Sequence, residues 1–241
     1  MKQPRQLIAP TYAQLVKSCR RYELGTEPSY RVLLPVIEGA WERPRQVADA
    51  IVVLLEIWNK AFYNRYHCPK AQAVEKALRK NWSAIDGFAR RSILDYDPEV
   101  DSQKISHLFC AMLKPLKGRD QKGQKLLTPV GVAKTLHFLA PRFFPMWDNR
   151  IARESGCAWP HARSAAGCYL RFIAQIKGIC DSLVNEYAAA NGVDRELAMR
   201  AIVDGCCSGD SPRSLVKLVD EYAYMRFVNP QLREAKRSAT A

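Results

Sequence analysis

Apolar residues recur along this chain at the three- and four-residue spacing of helices, and almost nowhere at the alternating spacing of strands. Between Arg45 and Tyr63 they fall at Val47, Ala50, Ile51, Leu54, Leu55, Trp58 and Phe62, one broad face with Asp49, Glu56 and Lys60 off it. The same rhythm runs from Ser164 to Ala190 through Tyr169, Ile173, Ile176, Cys180, Leu183 and Tyr187, and Asn191-Gly192 then offers a left-handed cap. Asp97-Pro98, Thr128-Pro129 and Ser211-Pro212 each set a capping oxygen before a proline suited to the first helical turn. Pro115 and Pro141 end the helices before them. The pattern predicts an all-α fold of about ten helices. No Gly/Ser-rich linker divides it, so residues 1–241 are expected to form one domain, with two helical lobes around a cleft. A short polar tail follows from about Arg233.

Charge narrows the choice of partner. Thirty-seven Lys and Arg against 24 Asp and Glu give a formal net charge of +13, which points to a polyanion, most simply nucleic acid. No apolar run approaches the ~18–20 residues of a membrane span, and the N-terminus MKQPRQLIAP lacks a secretory apolar core. A cytoplasmic protein without membrane contact is expected. The eight cysteines include no CxxC pair, and their spacing fits neither a zinc site nor an iron–sulfur cluster; buried, reduced thiols and no bound metal are expected.

Chemistry concentrates between Leu127 and Arg153, LTPVGVAKTLHFLAPRFFPMWDNRIAR. Thr128-Pro129 opens a helix whose free amides near Val130 and Gly131 would face outward at the positive end of the dipole, a site for a phosphate oxygen. Gly131 would let a strand of DNA approach the backbone. Lys114, Lys117, Arg119, Lys122 and Lys125 lead into it with only Asp120 opposing; the plain alternative is a solvated basic loop. Lys134 follows one turn later, and Asp148 heads the short amphipathic segment Asn149-Arg150-Ile151-Ala152-Arg153. An aspartate there is held ionised by amides and dipole, which suits an anion facing a developing oxocarbenium ion. Taken alone, Asp148 also fits a simple N-cap, and Lys134 a solvated or phosphate-binding lysine. The chain between them is long enough to double back and bring both to one cleft.

PVGVAKT followed by FPMWDNRIAR resembles the core of the helix-hairpin-helix superfamily of DNA glycosylases, nearest in character to the archaeal 8-oxoguanine enzymes, with the core spanning residues 114–156. The resemblance covers about 27 residues. It implies that Asp148 is the catalytic aspartate and Lys134 the Schiff-base lysine of bifunctional members. It further implies that Thr128, Val130, Gly131, Lys122, Lys125, Arg150 and Arg153 grip the DNA backbone, with Arg142 a further contact. The chain departs from the family where LPGVG becomes Leu127-Thr128-Pro129-Val130-Gly131. Lys134 also lies one residue out of register; in the other register Thr135 replaces the lysine and the enzyme is monofunctional.

A glycosylase holds the flipped base between aromatic or apolar walls. Trp147, beside Asp148, is the first candidate, Trp41 in its charged loop the second, and His137 shares the face of Lys134 unless it is a buried core histidine. The implied activity is excision of a modified base from double-stranded DNA by a monomer without cofactor. The base is either an oxidised or alkylated one in repair, or a hypermodified cytosine, such as glucosylated hydroxymethylcytosine, of phage DNA in antiviral defence. The rival from another class is a non-catalytic basic helical protein that binds nucleic acid.

Overall fold

Helix-period apolar faces need partner helices, and here they find them both next along the chain and far from it. The computed structural model describes residues 7–25, 29–120, 122–207 and 213–228. The described helices are α1 (Tyr12–Gly25), α2 (Ser29–Gly39), α3 (Pro44–Trp58), α4 (Lys60–Tyr63), α5 (Ala71–Ala89) and α6 (Pro98–Leu113). After a two-stranded hairpin, β1 (Gly118–Arg119) and β2 (Lys125–Leu126), come α7 (Pro129–Leu139), α8 (Asn149–Glu154), α9 (Ala165–Asn191), α10 (Arg195–Cys206) and α11 (Leu215–Phe227). The all-α expectation holds, apart from that hairpin.

The apolar faces are buried as the spacing requires. α3 packs on α5 and α2, α1 on α11, and α9 on both α6 and α10. Val47, Ile51, Leu54 and Leu55 of α3 are fully buried, as are Tyr169, Ile173 and Cys180 of α9; each large apolar side chain removed from water contributes about 1.5–3 kcal/mol. The caps also form. Asp97 accepts from the Glu99 amide at 2.9 Å, and α9 ends on Gly192 in the left-handed region at φ 66°. Ser211-Pro212 and the tail from Arg233 lie outside the described residues; α11 is capped instead by Ser214, which accepts from the Lys217 amide.

Two expectations need correction. The apolar run from Arg45 to Tyr63 is not one helix: it breaks at Asn59 between α3 and α4. Asn59 Nδ2 is drawn across to Thr128 Oγ1 at 2.9 Å, and the Phe62 amide bonds the Asn59 carbonyl instead of that of Trp58. A helix carbonyl is thereby released at Trp58. Nor are the thiols uniformly buried: all eight are unpaired, but Cys110 is exposed and Cys68 and Cys207 are half-buried. Among the described residues, no helix is long and apolar enough to cross a membrane, and no group of three or more His, Cys, Asp and Glu is placed to hold a metal ion.

Candidate active site

The released Trp58 carbonyl is where Lys134 goes. Its ammonium donates to that oxygen from the second turn of α7, and the side chain enters a cavity of about 360 Å³. Asp148 lines the same cavity, with Trp58, Trp147, Asp220, Tyr22 and Tyr224 among the other wall residues. Lys134 is half-buried. Burial pushes its amine below the ordinary lysine range and the Lys217 charge adds to this, while Asp148 and Asp220 oppose it.

Asp148 is fixed by the helix that it caps. Its Oδ1 accepts from the amides of Arg150 at 2.8 Å and Ile151 at 2.7 Å. Both bonds use one oxygen, so Oδ2 keeps its lone pairs free of hydrogen bonds among the described residues. The Phe143–Trp147 segment holds the aspartate in place from behind. Trp147 is fully buried, its ring packed against Trp159, Tyr169 and Phe172 with centroids 4.3, 5.4 and 6.3 Å away. The Tyr169 hydroxyl donates to the Pro145 carbonyl at 2.8 Å. Trp147 Nε1 is buried and makes no hydrogen bond among the described residues, which leaves an unspent donor on a wall residue.

Lys134 lines the cavity, whereas Thr135, fully buried, is not among its wall residues. His137 does not line it. It is fully buried and bonded at both nitrogens: a carbonyl can only accept, so Nδ1 donates to the Phe144 oxygen at 2.7 Å, and Nε2 accepts from the Tyr30 hydroxyl at 3.0 Å. Burial above all holds its pKa down at about 3, from an unfolded value of 6.5. The folded state therefore resists a proton that the unfolded chain takes up below pH 6.5. Stability is full above that pH and is lost on acidification toward pH 3, by about 1.4 kcal/mol per pH unit. Urea titrations at pH 7 and pH 4 should show the parent losing about 3 kcal/mol more than His137→Gln; equal losses would rule this out.

Trp41 also lies elsewhere. Its Nε1 donates to Asp86 at 3.1 Å and its ring packs on Trp82 at 4.8 Å, because the turn after α2 delivers it to α5. It lines a separate cavity with Phe138, Arg142 and Arg213, which takes Arg142 away from the Lys134 site as well.

The start of α7 differs from a row of free amides. The Gly131 amide is taken by Thr128 Oγ1 at 3.0 Å. A Cβ at Gly131 would meet Thr128 Cγ2 at 2.8 Å and Asn59 Nδ2 at 3.4 Å, so the glycine is required by packing of the cap. Thr128 and Val130 instead border a groove of about 420 Å³ with Asn59, Arg65, Asn149 and Trp159. Asn59 and Asn149 follow Trp58 and Asp148 in sequence, so groove and cavity have sequence neighbours in their walls on two sides. The hairpin carries the basic segment: Lys122 and Lys125 are exposed. The Lys117 ammonium is pushed down by burial and by crowding from Lys125, Arg119 and Lys114. Arg153 is exposed with its Nε on the Asn149 carbonyl; Arg150 reaches the Val228 carbonyl at 3.4 Å.

Asp220, Tyr22 and Tyr224 are cavity residues that the sequence did not single out. Lys217, Asp220 and Glu221 stand at the i, i+3, i+4 spacing of an ordinary solvated ion pair on a helix, and no signal in the spacing marks them as interior. No protein-family model matches the sequence, and no curated protein and no solved structure matches it either.

Proposed function

We propose that this protein is a DNA glycosylase that takes a modified base out of the duplex and breaks its N-glycosidic bond. One observation carries the proposal: an amine and a carboxylate from successive helices, Lys134 and Asp148, line one aromatic-walled cavity. Its volume falls within the roughly 300–1,000 Å³ of small-molecule sites. In this proposal the helices form two lobes about a DNA-binding cleft, with the basic hairpin and the Thr128–Asn149 groove receiving the phosphate backbone.

The chemistry follows from what each group can do. The Asp148 carboxylate, oriented by two amides, stands against positive charge developing at the sugar C1′. The neutral Lys134 amine donates its lone pair to C1′ as the bond to the base breaks, and the bonding electrons leave with the base. Depressing the pKa of Lys134 raises the fraction of amine available near neutral pH. The substrate we propose is a modified base, with a hypermodified cytosine of phage DNA placed ahead of an oxidised or alkylated base. The basic hairpin alone would equally serve a protein that only binds nucleic acid.

Mass spectrometry of bases released from unmodified and phage genomic DNA decides between these. The glycosylase should free a modified base, and borohydride should trap it on DNA through Lys134, with trapping lost in Lys134→Ala. Binding of every duplex with no base released would establish the non-catalytic alternative. Base release without trapping would assign the attack to water.

A further inference from the structure

α11 holds a cluster of ionisable side chains, two of them in the protein interior. Lys217 and Glu221 are each 1% exposed. Arg213 Nη1 meets Glu221 Oε2 at 3.2 Å, and Lys217 Nζ lies 3.2 Å from Asp220 Oδ2 and 3.6 Å from Glu221 Oε1. The Tyr22 hydroxyl is 3.3 Å from the same nitrogen. Lys217 also stands over the rings of Tyr22, Tyr30 and Trp58, at 4.5, 5.0 and 5.6 Å. Buried ion clusters are costly to desolvate, and apolar replacements are often as stable, so stability alone is a poor reason for one here. Its Asp220 end opens into the cavity of Lys134 and Asp148.

We propose that Asp220, held by Lys217 and lining the same cavity as Lys134, is a positioning residue that governs how readily the Lys134 amine gives up its proton. The functional consequence rests on Lys134 being the nucleophile of base excision. The groups facing Lys134 come from four elements: the Trp58 carbonyl of α3, Asp148 at the head of α8, Tyr22 of α1, and Asp220 and Tyr224 of α11, with the Lys217 charge also acting on it. Asp148 is committed to two backbone amides. Asp220 sits inside a helix where no backbone amide is free, and burial holds its carboxyl above the usual range against the pull of Lys217. Burial works against the Lys217 charge, but Asp220, Tyr22 and Glu221 hold that amine well above the ordinary lysine range. Lys217 is thus a permanent cation. Asp220 both pairs with Lys217 and lines the cavity of Lys134, and its charge can be removed without disturbing a helix cap.

The test is the pH dependence of Lys134 reductive methylation by formaldehyde and cyanoborohydride, read by peptide mass spectrometry on the full chain without DNA. In Asp220→Asn, which keeps an acceptor for Lys217, the midpoint at Lys134 should fall by roughly one pH unit, the shift expected from removing one nearby opposite charge. Asp220→Glu should restore it. An unchanged or higher midpoint overturns the proposal; a rise is what a loosened, rehydrated cavity would give. If Asp220→Asn does not fold, Lys217→Met carries the test. Asp220 then has Lys134 as its nearest remaining cation, the midpoint must rise, and no change or a fall overturns the proposal. Base release is measured separately: its absence from the parent would sink the glycosylase while leaving the methylation result standing. Where both hold, the acid limb of base release moves with the methylation midpoint.

Discussion

Asp148→Asn should cost about a thousandfold in the rate of base release, the loss typical of removing one preorganised electrostatic group from a transition state. The fold should barely respond. Asparagine caps helices as well as aspartate does, and its side-chain oxygen can still accept from the amides of Arg150 and Ile151. What is lost is the charge, worth about 0.3–1 kcal/mol to the helix through its dipole. Asp148→Ala removes both charge and cap and should cost a further ~0.5–2 kcal/mol. Single-turnover base release and urea denaturation on the two variants separate these effects. If Asp148→Asn keeps its rate within tenfold, the carboxylate is a cap and nothing more.

Trp147→Ala should destabilise the protein by about 3–5 kcal/mol, as loss of a fully buried large aromatic does. The ring fills the space between Phe109, Trp159, Tyr169 and Phe172, and little around it can collapse without moving the long α9. Because Asp148 is the next residue, the cavity left behind should also loosen the carboxylate and lower base release in whatever fraction remains folded. Trp147→Phe should be milder: it keeps a ring, and it forfeits no hydrogen bond among the described residues, since Nε1 makes none there. A cost below about 1 kcal/mol for the alanine variant, read from urea denaturation, would show that the ring is a pocket wall that packs against little.

Much of the fold was legible because helical periodicity and capping are local. Val47 to Trp58 had to be a helix with one buried face, and Thr128 and Asp148 had to be caps, since their oxygens lie within three residues of the amides they serve. The single helix read through Asn59 failed for a non-local reason. Its break depends on Thr128, 69 residues away, accepting from the asparagine side chain. Trp41 failed similarly, while His137 is the buried core histidine that the sequence set against a pocket role. Each is a polar-tipped ring whose partner, Asp86 or Tyr30, lies far off in sequence, and satisfying that partner turned the ring away from the Lys134 cavity.

The sequence alone determined an all-helical chain with a basic segment, a lysine on one helix and an aspartate capping the next. Those follow from apolar spacing, proline positions and charge, which act over a few residues. Only the tertiary structure decided that Lys134, Asp148 and Asp220 share a cavity, that Thr135 does not line it, and that Lys217 and Glu221 are interior. Burial is a property of what packs against a helix. A Lys-x-x-Asp-Glu run reads identically whether its neighbour is water or, as here, the side chains of Tyr22, Tyr30 and Trp58.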